Sequence, residues 1–250
     1  MKFIGIIPAR YASTRFPGKP LADIAGKPMI QRVYDSALTA LDHAVIATDD
    51  DRIFQAVRSF GGNVVMTSSN HKSGTDRCAE ALDIYEKSVS ENFDIVINIQ
   101  GDEPFIRKDQ VVSVMQCFSD SKTQIATLIK RIEENAILFD PNRPKVVRDT
   151  NGFALYFSRS PIPAVRHAEK RAWHLEHSYF QHIGMYAYRS SVLRELCKLP
   201  QGLLEKSESL EQLRWLENVY KIKTAITQFE SYGIDTPEDL QRAIDLGLVK

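Results

Sequence analysis

The sequence is poor in cysteine, has no excess charge of either sign and contains no long apolar run. Its three cysteines, Cys78, Cys117 and Cys197, are odd in number and far apart, which excludes a disulfide framework and a CxxC metal or redox site. We expect them to be small, unreactive hydrophobic side chains. The 32 basic residues equal the 32 acidic residues in number, so no net field attracts the chain to nucleic acid or to an anionic membrane. An anionic ligand therefore needs cations that are clustered locally.

The apolar stretches are also too short for a membrane span. The longest are about half a dozen residues, whereas a membrane-spanning helix needs about 20. The first ten residues, MKFIGIIPAR, lack the long apolar region of a signal peptide. We therefore expect a soluble, intracellular protein of the cytoplasm. With 250 residues the chain is long enough to bury a large core as one α/β domain.

Short apolar runs alternate with amphipathic stretches over the first half of the sequence. Runs that suit buried strands lie at 3–8, 44–47, 64–66 and 94–99. The stretches between them predict helices that begin at Pro28, cover 50–60, begin near Thr75 and cover 109–118. This alternation is typical of βα units, so we predict an α/β fold with a mainly parallel sheet and helices on its faces.

The middle of the sequence departs from this pattern. Apolar runs at 146–148 and 154–157 flank Asn151-Gly152, which is a strong hairpin signal. Strands at 182–188 and 223–228 follow, with helices at 191–197, at 209–219 and from Pro237. Because no Pro- or Ser-rich linker is present, we predict a single domain over residues 1–250, with a β-rich antiparallel excursion around residues 140–190.

The first loop concentrates positive charge. Arg10, Arg15 and Lys19 follow the first strand, and residues 1–22 contain no acid. Ligands of open α/β sheets bind outside the carboxyl ends of the strands, and three cations there can hold a polyphosphate. No GxGxxG motif occurs, and both Gly-Lys pairs are followed by proline, so we expect neither a dehydrogenase nor a P-loop NTPase. The alternative is an exposed basic loop.

Two carboxylates are candidate metal ligands. Asp102 follows the apolar run at 95–99, a position suited to Mg²⁺, which takes one or two protein carboxylates together with substrate phosphate oxygens. Its neighbour Glu103 points the other way in an extended chain. Asp235 precedes Thr236-Pro237, which predict an N-cap and a first helical residue, with a capping box. A plain turn and a plain helix cap are the alternatives at the two positions.

Residues 71–77, HKSGTDR, precede a predicted helix, so their N–H groups and hydroxyls can bind a base or a phosphate. An ordinary N-cap at Thr75 is the alternative. Histidines 174, 177 and 182 have the wrong spacing for a zinc site and have no cysteine nearby. We therefore expect no zinc.

Six motifs, in order along the chain, resemble the 3-deoxy-manno-octulosonate (Kdo) cytidylyltransferase family, whose members make CMP-Kdo for lipopolysaccharide. They are PARYASTRFPGKPL at 8–21, GKPMI at 26–30, QGDEP at 100–104, ALYFSR at 154–159, LEQLR at 210–214 and DTPED at 235–239. The related family that activates sialic acid shares the IPAR start but continues with a glycine-rich segment. In this chain the IPAR start is followed by YASTR at 11–15, which resembles the Kdo cytidylyltransferases. Residues 163–178 and 196–208 resemble the family least.

The resemblance implies a three-layer fold of the nucleotide-diphospho-sugar transferase type and the transfer of CMP from CTP to the anomeric hydroxyl of Kdo, with release of pyrophosphate. It implies catalytic roles for Arg10, Lys19, Asp102 and Asp235, the last two as ligands of Mg²⁺. The implied nucleotide-binding residues are Ala9, Arg10, Ser13, Arg15, Lys19, Ser73, Gly74 and Arg77. The implied sugar-binding residues are Gln100, Arg159, His182, Tyr186, Glu211 and Gln212.

The resemblance also suggests a homodimer, in which the excursion around residues 140–190 pairs the subunits. Two other functions remain open at this stage. One is cytidylyl transfer to another acidic sugar, such as an 8-amino analogue of Kdo or a sialic acid. The other is a protein that binds CTP without releasing pyrophosphate, although such a protein has no physical need to keep two carboxylates for a metal.

Overall fold

The computed structural model describes residues 1–12 and 15–248. Its strands are β1 (Phe3–Ala9), β2 (Asp23–Ile24), β3 (Lys27–Pro28), β4 (Ala44–Thr48), β5 (Val64–Met66), β6 (Ile95–Asn98), β7 (Ile125–Arg131), β8 (Lys145–Arg148), β9 (Ala154–Ser158), β10 (Phe180–Arg189) and β11 (Ile222–Ile226). Its α-helices are α1 (Met29–Leu38), α2 (Asp51–Ser59), α3 (Gly74–Val89), α4 (Lys108–Gln116), α5 (Asn135–Phe139), α6 (Trp173–Glu176), α7 (Ser190–Leu196), α8 (Leu203–Glu208), α9 (Gln212–Glu217) and α10 (Pro237–Asp245). The predicted strands and helices all occur, with ends that differ by no more than about three residues.

The chain divides into two compact units, the first of which comprises Met1–Val112, Ala187–Cys197 and Ser231–Lys250. Four of its strands form a parallel sheet in the order β6–β1–β4–β5. β4 and β6 are buried at every position, as expected of parallel strands that are covered on both faces. α1 and α3 pack against β1 and β4. The predicted α/β alternation is therefore confirmed in this unit.

Helix α1 shows how the apolar spacing selects the buried face. Ile30, Val33 and Ala37 are fully buried, and they recur three and four residues apart, which places them on one side of a helix. The helix ends at Leu38, earlier than the apolar spacing suggests. Leu41 is buried all the same, and its N–H bonds to the carbonyl of Ala37 in the turn that follows the helix.

The second compact unit comprises Ser113–Tyr186 and Lys198–Glu230. β7 and β11 pair in parallel, whereas β8 pairs antiparallel with both β9 and β10. The antiparallel excursion is thus present where the sequence predicts it.

The turn between β8 and β9 is longer than the two residues that Asn151-Gly152 suggest. The carboxylate of Asp149 accepts hydrogen bonds from the backbone N–H groups of Asn151 and Phe153, at 2.9 and 2.8 Å. Gly152 has a φ of 80°, a conformation in which glycine carries no steric penalty. The Asp149 side chain therefore closes a wider turn, and Gly152 permits it.

Four elements of the second unit were missed by the sequence analysis: β7, α5, α6 and α8. Helix α8 lacks a clear apolar face, since Leu203 is 77% exposed. The helix predicted over 209–219 begins only at Gln212, because Ser209 has a φ of 50° and separates α8 from α9. Short helices of this kind are stabilised by tertiary packing rather than by their own sequence.

Two predictions from composition concern the cysteines and the lack of a membrane-spanning helix. Cys78 is buried, whereas Cys117 and Cys197 are partly exposed, and all three are free thiols. Burial raises the pKa of the Cys117 thiol to about 11, so the thiol stays protonated near pH 7 and is a poor nucleophile.

No helix among the described residues is long and apolar enough to cross a membrane.

Candidate active site

A cavity of about 480 Å³ lies at the carboxyl ends of the strands of the first unit. This is where open α/β sheets bind their ligands. Ten of the residues predicted for the site line it: Ala9, Arg10, Arg15, Lys19, Ser73, Gly74, Arg77, Gln100, Asp102 and Asp235. Ser13, also predicted for nucleotide binding, lies outside the described residues. The fold thus brings together segments that are up to 226 positions apart in sequence.

Backbone contacts explain why the two predicted metal ligands meet. The N–H of Ile234 donates to the carbonyl of Asp102 at 2.9 Å, which joins the segment before α10 to the segment after β6. A Cβ atom at Gly101 would lie 2.6 Å from the carbonyl oxygen of Pro8, so only glycine permits the close approach of this segment to the end of β1. Asp102 and Asp235 are therefore positioned by main-chain geometry.

The capping box predicted for α10 is present. Thr236 accepts a hydrogen bond from the N–H of Asp239, and the Asp239 carboxylate accepts from the N–H of Thr236. The same carboxylate accepts from the N–H of Asp235 at 3.1 Å. The cap therefore fixes the backbone of Asp235 and leaves its carboxylate free of any role in the cap.

Lys19 lies between the two carboxylates. Its Nζ atom is 2.7 Å from Oδ2 of Asp102 and 3.1 Å from Oδ1 of Asp235, and its side chain is only 13% exposed. Arg15 forms a further ion pair with Asp235 at 3.2 Å. Both carboxylates thus converge on the position of one cation. Among the described residues no group of three or more His, Cys, Asp or Glu could hold a metal; a metal at this position would have two protein carboxylates as ligands.

The loop after β1, which carries Arg10, Arg15 and Lys19, is held at its base by Tyr11. The N–H of Gly18 donates to the Tyr11 carbonyl at 3.0 Å, and a Cβ atom at Gly18 would come within 3.0 Å of the Tyr11 ring. The guanidinium of Arg52 lies 3.3 Å from the centre of the same ring. Since Gly18 has a φ of 72°, the turn needs glycine both for its backbone and for the room beside Tyr11.

The start of α3 forms another part of the cavity wall. The N-cap is Ser73, whose hydroxyl accepts from the N–H of Asp76 at 3.1 Å. The N-cap reading of Thr75 is therefore wrong: Thr75 is the second residue of the helix, and it is buried. Ser73, Gly74 and Arg77 of this helix start line the cavity, and the positive end of a helix dipole favours an anion.

Arg77 lines the cavity, although its charge is already compensated. It is 1% exposed, and its Nη2 atom is 2.7 Å from Oδ2 of Asp49. Its Nη1 atom donates to the hydroxyl of Thr67. This arrangement suits a residue that shapes the wall of the cavity, since a buried arginine needs a paired carboxylate.

Sequence reasoning missed one cation of the cavity. Lys72 lines it and is exposed, and within the described part of the chain it forms no ion pair. Lys72 belongs to the segment HKSGTDR at 71–77, so a signal for it was present in the sequence.

Glu103, the neighbour of the candidate metal ligand Asp102, has a different hydrogen-bond partner. Its Oε2 atom accepts a hydrogen bond from the hydroxyl of Ser231 at 3.0 Å. Burial raises the pKa of the Glu103 carboxyl to about 7, against the lowering effect of that hydrogen bond. The expectation that adjacent carboxylates diverge is thus met.

In the second unit, two of the predicted sugar-binding residues form one aromatic cluster. The rings of His182 and Tyr186 are 5.1 Å apart, and Tyr186 packs edge-on against Trp215 at 5.0 Å. The His182 ring also hydrogen-bonds to Thr127 at 2.9 Å. Burial lowers the pKa of His182 to about 4, so the imidazole is neutral near pH 7. Burial and the charge of Glu211 raise the pKa of Tyr186, so both groups are neutral hydrogen-bonding partners.

Glu211 and Gln212 lie at the start of α9. Glu211 accepts from Arg214 at 3.0 Å. The side chain of Gln212 is buried, and its Nε2 atom has no hydrogen-bond partner among the described residues. A buried amide without a partner carries a desolvation cost that a bound hydroxyl relieves.

Arg159 is engaged by backbone carbonyls. Its guanidinium donates to the carbonyls of Glu208, Pro141 and Ser209, at 2.6, 3.0 and 3.3 Å. Three of its five N–H groups are thereby used. Arg159 therefore ties two segments of the second unit together, and two of its N–H groups have no partner among the described residues.

Comparison with known proteins identifies close relatives over the full length. The chain matches the family described as Cytidylyltransferase over residues 4–226. It is 58% identical over 248 residues to the 3-deoxy-manno-octulosonate cytidylyltransferase of Parabacteroides distasonis, covering 98% of this chain and 97% of that protein. It is 60% identical over 246 residues to the protein of the same name from Phocaeicola vulgatus, covering 97% and 96%.

A solved structure agrees with these relatives. The structure of CMP:2-keto-3-deoxy-manno-octonic acid synthetase complexed with CTP superposes with a TM-score of 0.90. That protein is 43% identical in sequence, and the match covers 99% of this chain and 98% of the other.

Proposed function

Because this chain belongs to the 3-deoxy-manno-octulosonate cytidylyltransferase family, we propose that it transfers CMP from CTP to the anomeric hydroxyl of Kdo. The products are CMP-Kdo and pyrophosphate, and the role is in lipopolysaccharide biosynthesis. The observation that carries the proposal is the convergence of Asp102 and Asp235 on Lys19 Nζ inside a cavity lined by cations. Such an arrangement suits phosphoryl chemistry, which needs positioning and charge stabilisation rather than a Ser or Cys nucleophile.

The nucleotide occupies the cavity of the first unit. Arg10, Arg15 and Lys19 neutralise the triphosphate, and Ala9 and Ser13 are assigned to nucleotide binding with them. Ser73, Gly74 and Arg77 form the wall for the cytidine. The anomeric hydroxyl of Kdo attacks the α-phosphorus in line, a new P–O bond forms, and the bond to pyrophosphate breaks. The cations stabilise the charge that develops on pyrophosphate as it leaves.

The donor set fits Mg²⁺. Asp102 and Asp235 offer two hard carboxylate oxygens that already surround a cation, the ammonium of Lys19. Mg²⁺ prefers such oxygens and keeps positions for water and substrate phosphate. Held by these two residues, it supplies Lewis-acid stabilisation of the phosphate charge.

Recognition of the sugar is assigned to Gln100 in the first unit and to five residues of the second: Arg159, His182, Tyr186, Glu211 and Gln212. The neutral ring of His182 and the buried amide of Gln212 suit sugar hydroxyls. The two remaining N–H groups of Arg159 suit the carboxylate of Kdo, as an arginine–carboxylate pair.

We further propose that the two compact units work as one nucleotidyltransferase domain over residues 1–250, with the β-rich region around 140–190 serving sugar binding and dimerisation. The cytoplasm is the proposed compartment, since CTP is an intracellular nucleotide. A homodimer is the proposed assembly.

The test is a pyrophosphate-release assay with Mg²⁺, all four nucleoside triphosphates and a panel of sugar acids. We expect release with CTP and Kdo, and the highest kcat/KM for that pair. No release from CTP with Kdo under reducing conditions, with the protein folded and no chelator present, overturns the proposal. A higher kcat/KM with an 8-amino Kdo analogue or a sialic acid reassigns the acceptor and keeps the cytidylyl transfer. CTP binding without turnover on any acceptor indicates a nucleotide-binding protein.

A further inference from the structure

The loop between β5 and α3, residues 67–73, contributes Lys72 and Ser73 to the lining of the nucleotide cavity, and a residue outside the cavity holds the shape of this loop. Glu80 lies in the second turn of α3 and is absent from the cavity lining. Its Oε2 atom accepts a hydrogen bond from the N–H of Ser68 at 2.8 Å and also contacts Nε2 of His71 at 2.5 Å. One carboxylate oxygen thus fixes two points of the loop.

The charge state of Glu80 agrees with this geometry. Burial alone raises the pKa of the Glu80 carboxyl, but the hydrogen bonds from His71 and Ser68 outweigh burial and lower it. The carboxylate is therefore ionised near pH 7, and its bond to the imidazole is charge-assisted, which makes it stronger than a bond between neutral groups.

His71 transmits this restraint to Arg10. The guanidinium of Arg10 donates through Nη2 to the backbone carbonyl of His71. Within the described part of the chain Arg10 forms no ion pair, so its positive charge is available to a ligand while its orientation is set by the carbonyl. The position of that carbonyl depends on the His71 ring, which Glu80 holds.

We infer that Glu80 is a positioning residue for the nucleotide: by holding His71 and Ser68 it fixes the carbonyl that orients Arg10, and so prepares the cavity for the CTP phosphates. The inference rests on the proposed function of the cavity. The effect belongs to binding of the nucleotide, because Glu80 touches neither the predicted metal ligands nor the second unit's sugar-binding residues in any described contact. A misplacement of about 1 Å in a binding group can cost up to about 100-fold in rate.

Kinetics of Glu80→Ala test the inference. We expect KM for CTP to rise about 5- to 30-fold, with KM for the sugar and kcat changed by less than about threefold. Glu80→Gln keeps an acceptor oxygen but loses the charge, so its KM for CTP should lie between those of wild type and Glu80→Ala. If Glu80→Ala is unstable, Glu80→Gln alone provides the test.

Asp83→Ala is the matched control. Asp83 lies on the same helix, and its Oδ1 atom accepts from Nε of Arg194 at 2.8 Å, away from the cavity. This variant also loses a carboxylate with an ionic partner, so it reports generic weakening of α3. Its KM for CTP should stay within about twofold of wild type. An equal rise of KM in Asp83→Ala and Glu80→Ala overturns the inference.

A double-mutant comparison of Glu80 and Arg10 distinguishes positioning of Arg10 by Glu80 from a general structural role of Glu80. If Glu80 works through Arg10, adding Glu80→Ala to an Arg10→Ala background should change the CTP dissociation constant by less than about twofold. The same fold-change in both backgrounds overturns the inference. These affinities are measured by calorimetry with CTP and Mg²⁺ and no sugar, so they remain informative if turnover with Kdo, and with it the proposed function, fails.

Discussion

Lys19 shows at the scale of one residue how two neighbouring carboxylates are held in one site. Two carboxylates that face each other at short range repel, and each ionised group is costly to bury without a partner. The ammonium of Lys19 contacts both and is itself mostly buried. If the proposed Mg²⁺ were held by Asp102 and Asp235, the ammonium of Lys19 would be released to pair with the phosphates of the nucleotide. Lys19 would then serve both the stability of the site and the proposed reaction.

Replacement of Asp102 by alanine tests the proposed metal site. We expect kcat for pyrophosphate release to fall at least about 100-fold, because a lost metal ligand removes several kcal/mol of charge stabilisation. The fold should survive, since Asp102 lies at the rim of the sheet and is partly exposed. Asp35→Asn is the matched control: Asp35 pairs with Lys27 at 2.8 Å on the surface and should keep full activity. Retained activity in Asp102→Ala would refute the metal assignment.

Lys72 is predicted to bind the nucleotide. Lys72→Ala should raise KM for CTP about 3- to 10-fold with little change in kcat, since an exposed cation contributes modestly to phosphate binding. The effect should shrink as salt is added, because salt screens exposed charges. Steady-state kinetics at two ionic strengths measure both. Lys87→Ala, in the last turn of α3, should behave as wild type; an unchanged KM in Lys72→Ala would leave Lys72 outside the site.

His182 predicts a specific pH dependence of stability. Its folded-state pKa of about 4 lies below the ordinary value of about 6.5, so the unfolded chain binds the proton more tightly. Its contribution is fully present above pH 6.5 and is lost as the pH falls towards 4. Between pH 7 and pH 5 we expect a loss of about 1–2 kcal/mol in the free energy of unfolding.

Denaturant unfolding followed by tryptophan fluorescence measures this loss, because both tryptophans, Trp173 and Trp215, belong to the second unit. His182→Asn should lack this share of the pH dependence. His167→Asn, at an exposed histidine of the same unit, should keep it. Equal pH dependence in wild type and His182→Asn would contradict a buried, neutral imidazole.

At the scale of elements, α10 links folding to the site. Its cap binds Thr236 and Asp239 to each other, and Asp239 also holds the N–H of Asp235. A helix terminus is thereby used to fix a residue that is not part of the cap. The ends of β1 and β6 also position the site, because Gly101 lets the segment after β6 approach the end of β1 closely.

Thr236→Ala should weaken both stability and catalysis. Loss of the cap costs about 1 kcal/mol, and kcat should fall about 3- to 10-fold as Asp235 loses its fixed backbone. Thr236→Ser keeps the hydroxyl and should restore both. Thermal unfolding and pyrophosphate release measure the two effects. Full activity in a destabilised Thr236→Ala would show that the cap does not position Asp235.

At the scale of the whole molecule, the proposed homodimer is the feature most open to measurement. Sedimentation equilibrium should give a mass of twice 28.4 kDa, and a mass of 28.4 kDa would reject dimerisation. Leu155 on β9 is 62% exposed and lies in the region around 140–190. Leu155→Glu should therefore shift the protein towards monomer, while Leu203→Glu, at a leucine 77% exposed outside that region, should remain dimeric.

The sequence alone determined the features that depend on local chemistry. Apolar runs and their spacing predicted the parallel sheet and the buried face of α1, Thr236-Pro237 predicted the cap of α10, and Asn151-Gly152 predicted the hairpin. The motifs predicted the family and ten residues of the cavity. Periodicity and capping act within one or two turns of chain, which is why they can be read from sequence.

Only the tertiary structure decided the contacts between distant segments. It showed that Lys19 bridges Asp102 and Asp235, that Arg77 pairs with Asp49, that Ser73 caps α3, and that Glu80 holds His71. β7 and α8 also escaped prediction, because packing stabilises them more than their own sequence does. Electrostatic interactions depend on the distance between groups in space, and that distance is set by the fold.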